Sequence, residues 1–259
     1  MILSFNIEYR TNWGEEVKLA GLSTESTPMY TTDGIYWTAE VELEVPQEGL
    51  TIHYSYQIEQ NGIVIRKEWN NFPRCLFLSG TPRKKYRIND CWKNIPEQLY
   101  LYSSAFTEAL LSHPEREDIP QGYKKGLIIK AYAPRINKDY CLAICGNQKA
   151  LGNWDPEKAV LMSDSNFPEW QVELDASKLK YPLEYKFILC HKQERKIDCW
   201  EKNPNRYLAD PEIKTNETLV ISDRYVYFDI PMWKGAGIAI PVFSLKSEKS
   251  FGVGDFGDL

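Results

Sequence analysis

Histidine, clustered positive charge and long apolar stretches are what this sequence has least of. Only three His occur in 259 residues, and none of the six cysteines (Cys75, Cys91, Cys141, Cys145, Cys190 and Cys199) forms a Cys-x-x-Cys pair. That removes the ligand spacing of a zinc site. Gly252-x-Gly254 lacks the strand, helix and third glycine of a dinucleotide site. Neither a metal nor an organic cofactor is expected. The net charge of −5 is spread along the chain with no basic block. Nucleic-acid affinity rests on clustered cations at phosphates, so no nucleic-acid partner is expected. A polybasic membrane contact is equally unsupported, and no stretch approaches transmembrane length. The opening MILSFNIEYR reads as a strand, without the charged start and apolar run of a signal peptide. These features predict a cytoplasmic protein with reduced thiols.

Aromatic residues are plentiful: 8 Trp, 16 Tyr and 10 Phe. Many must serve cores, but aromatic faces also stack on the apolar C–H faces of sugars, and a sugar-binding protein needs some of them exposed. The length suits two ordinary domains or one large one.

The sequence repeats itself. Leu3 to Gly21 (LSFNIEYRTNWGEEVKLAG) parallels Leu127 to Gly146 (LIIKAYAPRINKDYCLAICG), each reading as two alternating strands around a polar turn. Tyr36-Trp37 leads into TAEVELEV, and Glu169-Trp170 into QVELDA. The segment around Tyr54 (IHYSYQI) parallels that around Tyr185 (LEYKFIL), and the one around Trp69 (RKEWNNFPRCLFL) parallels that around Trp200 (DCWEKNPNRYLA); these last two pairs share an offset of 131 residues. Each copy has the size and rhythm of an all-β sandwich. Trp37 and Trp170 open alternating strands and are expected in the cores.

Between the copies, Leu99, Tyr102, Phe106, Ala109 and Leu110 recur at helical spacing after Pro96. They predict a short helix packed on a sandwich, with a partner-binding helix as the alternative. After the second copy, Gly235 to Val242 (GAGIAIPV) is a continuous apolar run, as in a strand buried on both faces. The fold expected is therefore all-β: two tandem immunoglobulin-like β-sandwiches, residues 1–94 and 124–231, joined by a helical linker, 95–123. The segment 232–259 that follows reads as the start of an α/β fold, and the family resemblance of that tail implies a stub of a (β/α)8 barrel.

The second copy holds the sharpest motifs: Leu151-Gly152-Asn153-Trp154-Asp155, Glu184-Tyr185-Lys186-Phe187, and Trp200-Glu201-x-x-Pro204-Asn205-Arg206. In order and spacing they resemble the starch-binding domain called carbohydrate-binding module family 20. The resemblance implies that Trp154 and Trp200 stack on a curved α-1,4-glucan, while Lys186, Glu201 and Asn205 hydrogen-bond its hydroxyls. The first copy resembles the family more loosely. Trp13 falls where an early-loop aromatic of the family's second site belongs, with Tyr30 as its partner. However, the Leu-Gly-x-Trp motif is missing there and Ser55 stands at the counterpart of Lys186. Trp69 is open between core and site. The first copy either binds through Trp13 or serves as a spacer.

The tail, GAGIAIPVFSLKSEKSFGVGDFGDL, resembles the opening of the glycoside hydrolase family 77 barrel, that of the 4-α-glucanotransferases. It implies transfer of α-1,4-glucosyl segments by carboxylates lying beyond Leu259, so the chain itself is expected to recognise α-glucan without catalysing, beside its own C-terminal barrel. A full barrel needs about 250 residues. Asp198 and Glu201 are close in sequence but lack the second arm of a glycosidase pair, and no triad signature is present. Two rivals stand: a non-catalytic glycogen-targeting protein, and an immunoglobulin-like protein-interaction module.

Overall fold

Leu3, Phe5 and Ile7 alternate with polar residues, and the strand they form, β1 (Ile2–Glu8), buries those three side chains. The computed structural model describes residues 1–69, 71–80, 84–96, 122–134, 136, 139–194, 196–223 and 226–228. The expected linker helix around Tyr102 and the expected barrel strand at Gly235 to Val242 lie outside the described residues. The first half continues with β2 (Glu15–Ala20), β3 (Thr27–Pro28), β4 (Tyr36–Glu42), β5 (Leu50–Gln60), β6 (Ile63–Lys67), β7 (Arg74–Leu78) and β8 (Lys85–Cys91). The second half has β9 (Lys125–Tyr132), β10 (Tyr140–Gly146), β11 (Val160–Leu161), β12 (Ser163–Asn166), β13 (Glu169–Asp175), β14 (Leu183–His191), β15 (Ile197–Trp200), β16 (Arg206–Leu208) and β17 (Glu217–Ser222). The regular structure described is β-strand with short 3-10 turns, and no helix among the described residues is long and apolar enough to cross a membrane.

Both halves follow one plan. β1 pairs antiparallel with β4 and parallel with β8; β9 pairs antiparallel with β13 and parallel with β17. Opposite them lie two five-stranded sheets. One has the order β3-β2-β5-β6, with β7 also on β5; the other has β11-β10-β14-β15, with β16 also on β14. A core fills each half. Trp37 lies in one and Trp170 in the other, and each indole N–H donates to a backbone carbonyl, of Tyr9 at 3.1 Å and Ala133 at 3.2 Å. A buried Trp needs such a partner for its one polar atom.

The halves are not merely strung together. β8 and β17 run parallel side by side, with Glu217 opposite Lys85 and Ile221 opposite Asn89. One seven-stranded sheet, β12-β13-β9-β17-β8-β1-β4, therefore spans the molecule. This changes the character of β9. The expected alternation is not found: seven of its eight residues are buried. Leu127 and Ile129 enter the second core, whereas Ile128 joins Val220 of β17 in the first. A strand covered on both faces reads as a continuous apolar run, and here the second cover is the other half. Lys130 is buried in that seam, its ammonium 2.8 Å from Glu169 and bonded to the Cys75 carbonyl. The Lys93 ammonium stands beside the Tyr132 ring, 4.6 Å from its centroid.

Each half also contains the same buried ionic knot. In the first, Tyr54 and Tyr56 donate to Asp90 at 2.9 and 3.0 Å, and Arg74 pairs with Asp90 at 3.1 Å and Glu68 at 2.7 Å. In the second, Tyr185 donates to Asp223 at 2.6 Å, and Arg206 pairs with Asp223 at 3.3 Å and Glu201 at 2.9 Å. Burial pushes the hydroxyls of Tyr54, Tyr56 and Tyr185 well above the ordinary tyrosine value, so all three stay donors. In each knot the glutamate accepts a backbone N–H from the neighbouring strand, Tyr56 at 3.1 Å and Phe187 at 2.8 Å. The knot clips the end of a hairpin to the sheet beneath it.

Candidate functional site

At the end of β10 the chain enters a short 3-10 turn, Lys149–Trp154, anchored by the fully buried Leu151. Leu151 and Asn153 both donate their N–H to the Gln148 carbonyl, at 2.8 and 2.9 Å. Gly152, Asn153 and Trp154 follow with φ of 82°, 51° and 62°, three left-handed residues in a row. Gly152 has no alternative there, since a Cβ would lie 2.9 Å from the backbone of Lys158. For Asn153 and Trp154 the conformation costs about 1–3 kcal/mol each. The surrounding turn maintains it and leaves Trp154 half-buried at the end of the sheet.

Trp200 meets it. It closes β15 opposite Ile188 of β14, and its ring lies 6.2 Å from that of Trp154, inclined at 46°. Two rings at that angle present a bent apolar surface. Lys186, two residues before Ile188 and so on the same face of β14, donates to the Glu201 carbonyl at 3.3 Å. Asn205 is exposed on the loop ahead of β16. Glu201 is placed differently from a group that greets a ligand: it is only 2% exposed, and both its oxygens serve Arg206 and the Phe187 N–H. In this structure it ties β14, at Phe187, to Arg206 at the start of β16, on either side of the loop that carries Asn205. Arg206, absent from the sequence-based site, is its counter-ion. Burial opposes the charge of Arg206, but Glu201 and Asp223 outweigh that and hold it above the ordinary arginine value.

In the first half, Trp13 is fully exposed at the tip of the loop that carries the chain from β1 to β2 in the opposite sheet. The tip is tied by Glu15, whose carboxylate accepts from the side chain and N–H of Asn12 at 2.9 and 2.8 Å. Those bonds hold Glu15 below the ordinary glutamate range. Tyr30 is 72% exposed and begins a loop that folds back on the β1–β2 loop through Thr11 N–H to the Gly34 carbonyl at 3.0 Å. The same loop ends in a second exposed aromatic, Tyr36, which sequence reasoning missed.

Trp69 belongs to the interior. It is 8% exposed, packed near Phe72 and the Lys93 ammonium. The constant offset of 131 residues misaligned it. Tyr56 and its bonded Glu68 are 12 residues apart, whereas Phe187 and its bonded Glu201 are 14 apart, so the second hairpin is two residues longer. The strand pairing places Lys67, opposite Gln57, where Trp200 stands opposite Ile188. The counterpart of Trp69 is Lys202: Trp69 donates its N–H to the Lys93 carbonyl at 3.0 Å, and Lys202 to that of Tyr227 at 2.8 Å.

Residues 129–220, which contain Trp154, Lys186 and Trp200, match the family described as the starch binding domain. The chain carries such a domain of family 20. Across 99% of its length the chain is also similar, at 26% identity, to 4-alpha-glucanotransferase DPE2 of Oryza sativa subsp. japonica, of which it spans 29%. Among solved structures, a family 15 glucoamylase from Hypocrea jecorina is 23% identical, with a TM-score of 0.34 over 40% of this chain and 17% of that one. The family 20 module of a maltotetraose-forming amylase from Pseudomonas Saccharophila STB07 is 18% identical, with a TM-score of 0.31 over 38% of this chain and 99% of that one.

Proposed function

We propose that this chain is the glucan-holding part of a 4-α-glucanotransferase. Two tandem starch-binding sandwiches, residues 1–94 and 124–231, are connected by a helical linker, 95–123, and lead at 232–259 into the catalytic barrel. Segment transfer between α-1,4-glucans belongs to that barrel. The sandwiches recognise starch, glycogen or maltodextrin chains in the cytoplasm and raise their concentration near it, so that modest affinities combine.

The observation that carries this reading is the Trp154–Trp200 pair, 6.2 Å apart and inclined at 46°, within the segment that matches the starch-binding family. The rings stack on successive glucose units. Lys186 and Asn205 bond their hydroxyls, and Glu201 acts through Arg206 and Phe187 as a positioning residue. Trp13, with Tyr30 beside its loop, offers a second contact of its own.

Calorimetric titration with β-cyclodextrin, a small mimic of the glucan helix, tests the assignment. By analogy with base–aromatic stacking, Trp200→Ala weakens binding by about 1–3 kcal/mol, and Trp154→Ala does the same. Trp13→Ala leaves that site intact and lowers the number of sites titrated. A wild-type chain that binds no cyclodextrin and stays in solution with insoluble starch would overturn the reading in favour of a protein-interaction module.

A further inference from the structure

Beyond Trp200, away from Trp154, the sheet edge continues. The chain leaves β17, and Tyr227 accepts the Lys202 N–H at 2.8 Å, setting residues 226–228 alongside the segment that follows β15. Residues 226–228 thus lie past the β15 end of the β10-β14-β15 sheet, with the Val226 N–H bonded to the Tyr132 carbonyl of β9 at 3.3 Å. Burial alternates across it. Glu201 and Phe228 point inward, at 2% and 7% exposure, whereas Lys202 is exposed and Tyr227 is 54% exposed. Lys202 lies in the bend two residues after Trp200, and its backbone bond sets the exposed ring of Tyr227 beside that bend. The first half supplies an internal control. At the equivalent positions, Trp69 and Lys93 make the same backbone bond, and their side chains lie in contact, the ammonium 5.8 Å from the ring. There the pair is closed over, with the Lys93 ammonium also 4.6 Å from the Tyr132 ring. In the second half aromatic and lysine have changed places and the ring is open.

The geometry points to Tyr227 as a third stacking residue, an extension subsite that lengthens the Trp154–Trp200 platform and selects extended α-glucan chains over compact ones. The chemistry is that of the platform itself. An exposed ring beside the bend that follows Trp200 meets the next sugars of a chain already seated on the two tryptophans. A small cyclic glucan, filled by those two rings, does not extend that far. The inference rests on the glucan-binding reading of the Trp154–Trp200 pair.

The test compares β-cyclodextrin with a linear maltodextrin long enough to overrun the pair, titrated against the full chain. Tyr227→Ala is expected to weaken the linear ligand by about fivefold or more, the equivalent of one modest stacking contact, and to leave β-cyclodextrin unchanged. Tyr227→Phe, which keeps the ring, retains wild-type affinity for both. Equal affinities of Tyr227→Ala and wild type for the linear chain would overturn the subsite, as would an equal loss for both ligands. If wild type binds neither ligand, the reading of the tryptophan pair fails first and the extension falls with it.

Discussion

The two halves of this protein share a skeleton and differ at the rim. Strand for strand, Leu3 and Leu127 lie on matching inner strands of one sheet, Trp37 and Trp170 fill matching cores, and an Arg–Asp–Glu–Tyr knot recurs around Arg74 and Arg206. At the rim nothing recurs. Lys67 occupies the place of Trp200, Ser55 that of Lys186, and the left-handed turn that presents Trp154 has no counterpart; among the described residues of the first half, Asn61 is the one non-glycine with positive φ. The core and its knot make the sandwich, and the short segments between strands decide what the sandwich can hold.

The comparison can be broken hardest at the knots. Arg74→Met leaves Glu68 and Asp90 as buried carboxylates without a counter-ion. It is expected to cost about 3–5 kcal/mol in denaturant unfolding. Arg206→Met is expected to cost less, since Arg206 is the more exposed of the two, but it should also weaken β-cyclodextrin binding by loosening Glu201. Equal stability losses with unchanged binding would mean that the second knot does not support the site. The turn itself is probed by Gly152→Ala. A left-handed alanine pressed against the Lys158 backbone is expected to cost about 1–3 kcal/mol and to raise the dissociation constant for β-cyclodextrin. The Trp13 site should be untouched, as competition between wild type and variant on soluble starch can show.

The smallest effect sharpens the contrast between Lys93 and its counterpart Tyr227. Burial, seconded by Arg74, lowers Lys93 from the ordinary lysine value of 10.5 to about 8. Glu169, Glu68 and Asp90 pull the other way without restoring it. Between those two pH values the unfolded chain holds more protons at this position than the folded one, so the Lys93 contribution to stability rises with pH. The slope is at most about 1.4 kcal/mol per pH unit. Lys93→Met should flatten the stability profile between about pH 8 and 10 relative to wild type, measured by urea unfolding across that range. An unchanged profile would mean the ammonium is better solvated than its surroundings indicate.

Much of this was legible in the sequence where one residue's surroundings lie close along the chain. The alternation of Leu3, Phe5 and Ile7 is a two-residue period against one core, and the Leu-Gly-Asn-Trp turn is local backbone chemistry. What escaped reading was set from afar. β9 loses its alternation because Ile128 and Lys130 face a half that begins more than a hundred residues earlier. Trp69 looked like Trp200 because a string comparison cannot see that one hairpin is two residues longer. Glu201 has the spacing of a hydroxyl acceptor, yet the cation that claims it, Arg206, and the strand it ties, at Phe187, are visible only in three dimensions. Tyr227 was hidden for the same reason, since Lys202, to which its backbone bonds, is not a chain neighbour.

The parallel seam of β8 and β17 has a consequence for how such a molecule can change over generations. Cutting away the first copy would leave Ile128, Val220 and Lys130 facing water on the outer side of β9 and β17, an unpaired sheet edge beside an apolar patch. A descendant cannot shed, swap or shuffle one sandwich as a loose bead on a string. The first half can then lack every sugar contact and still be needed, because the second rests on it as a wall.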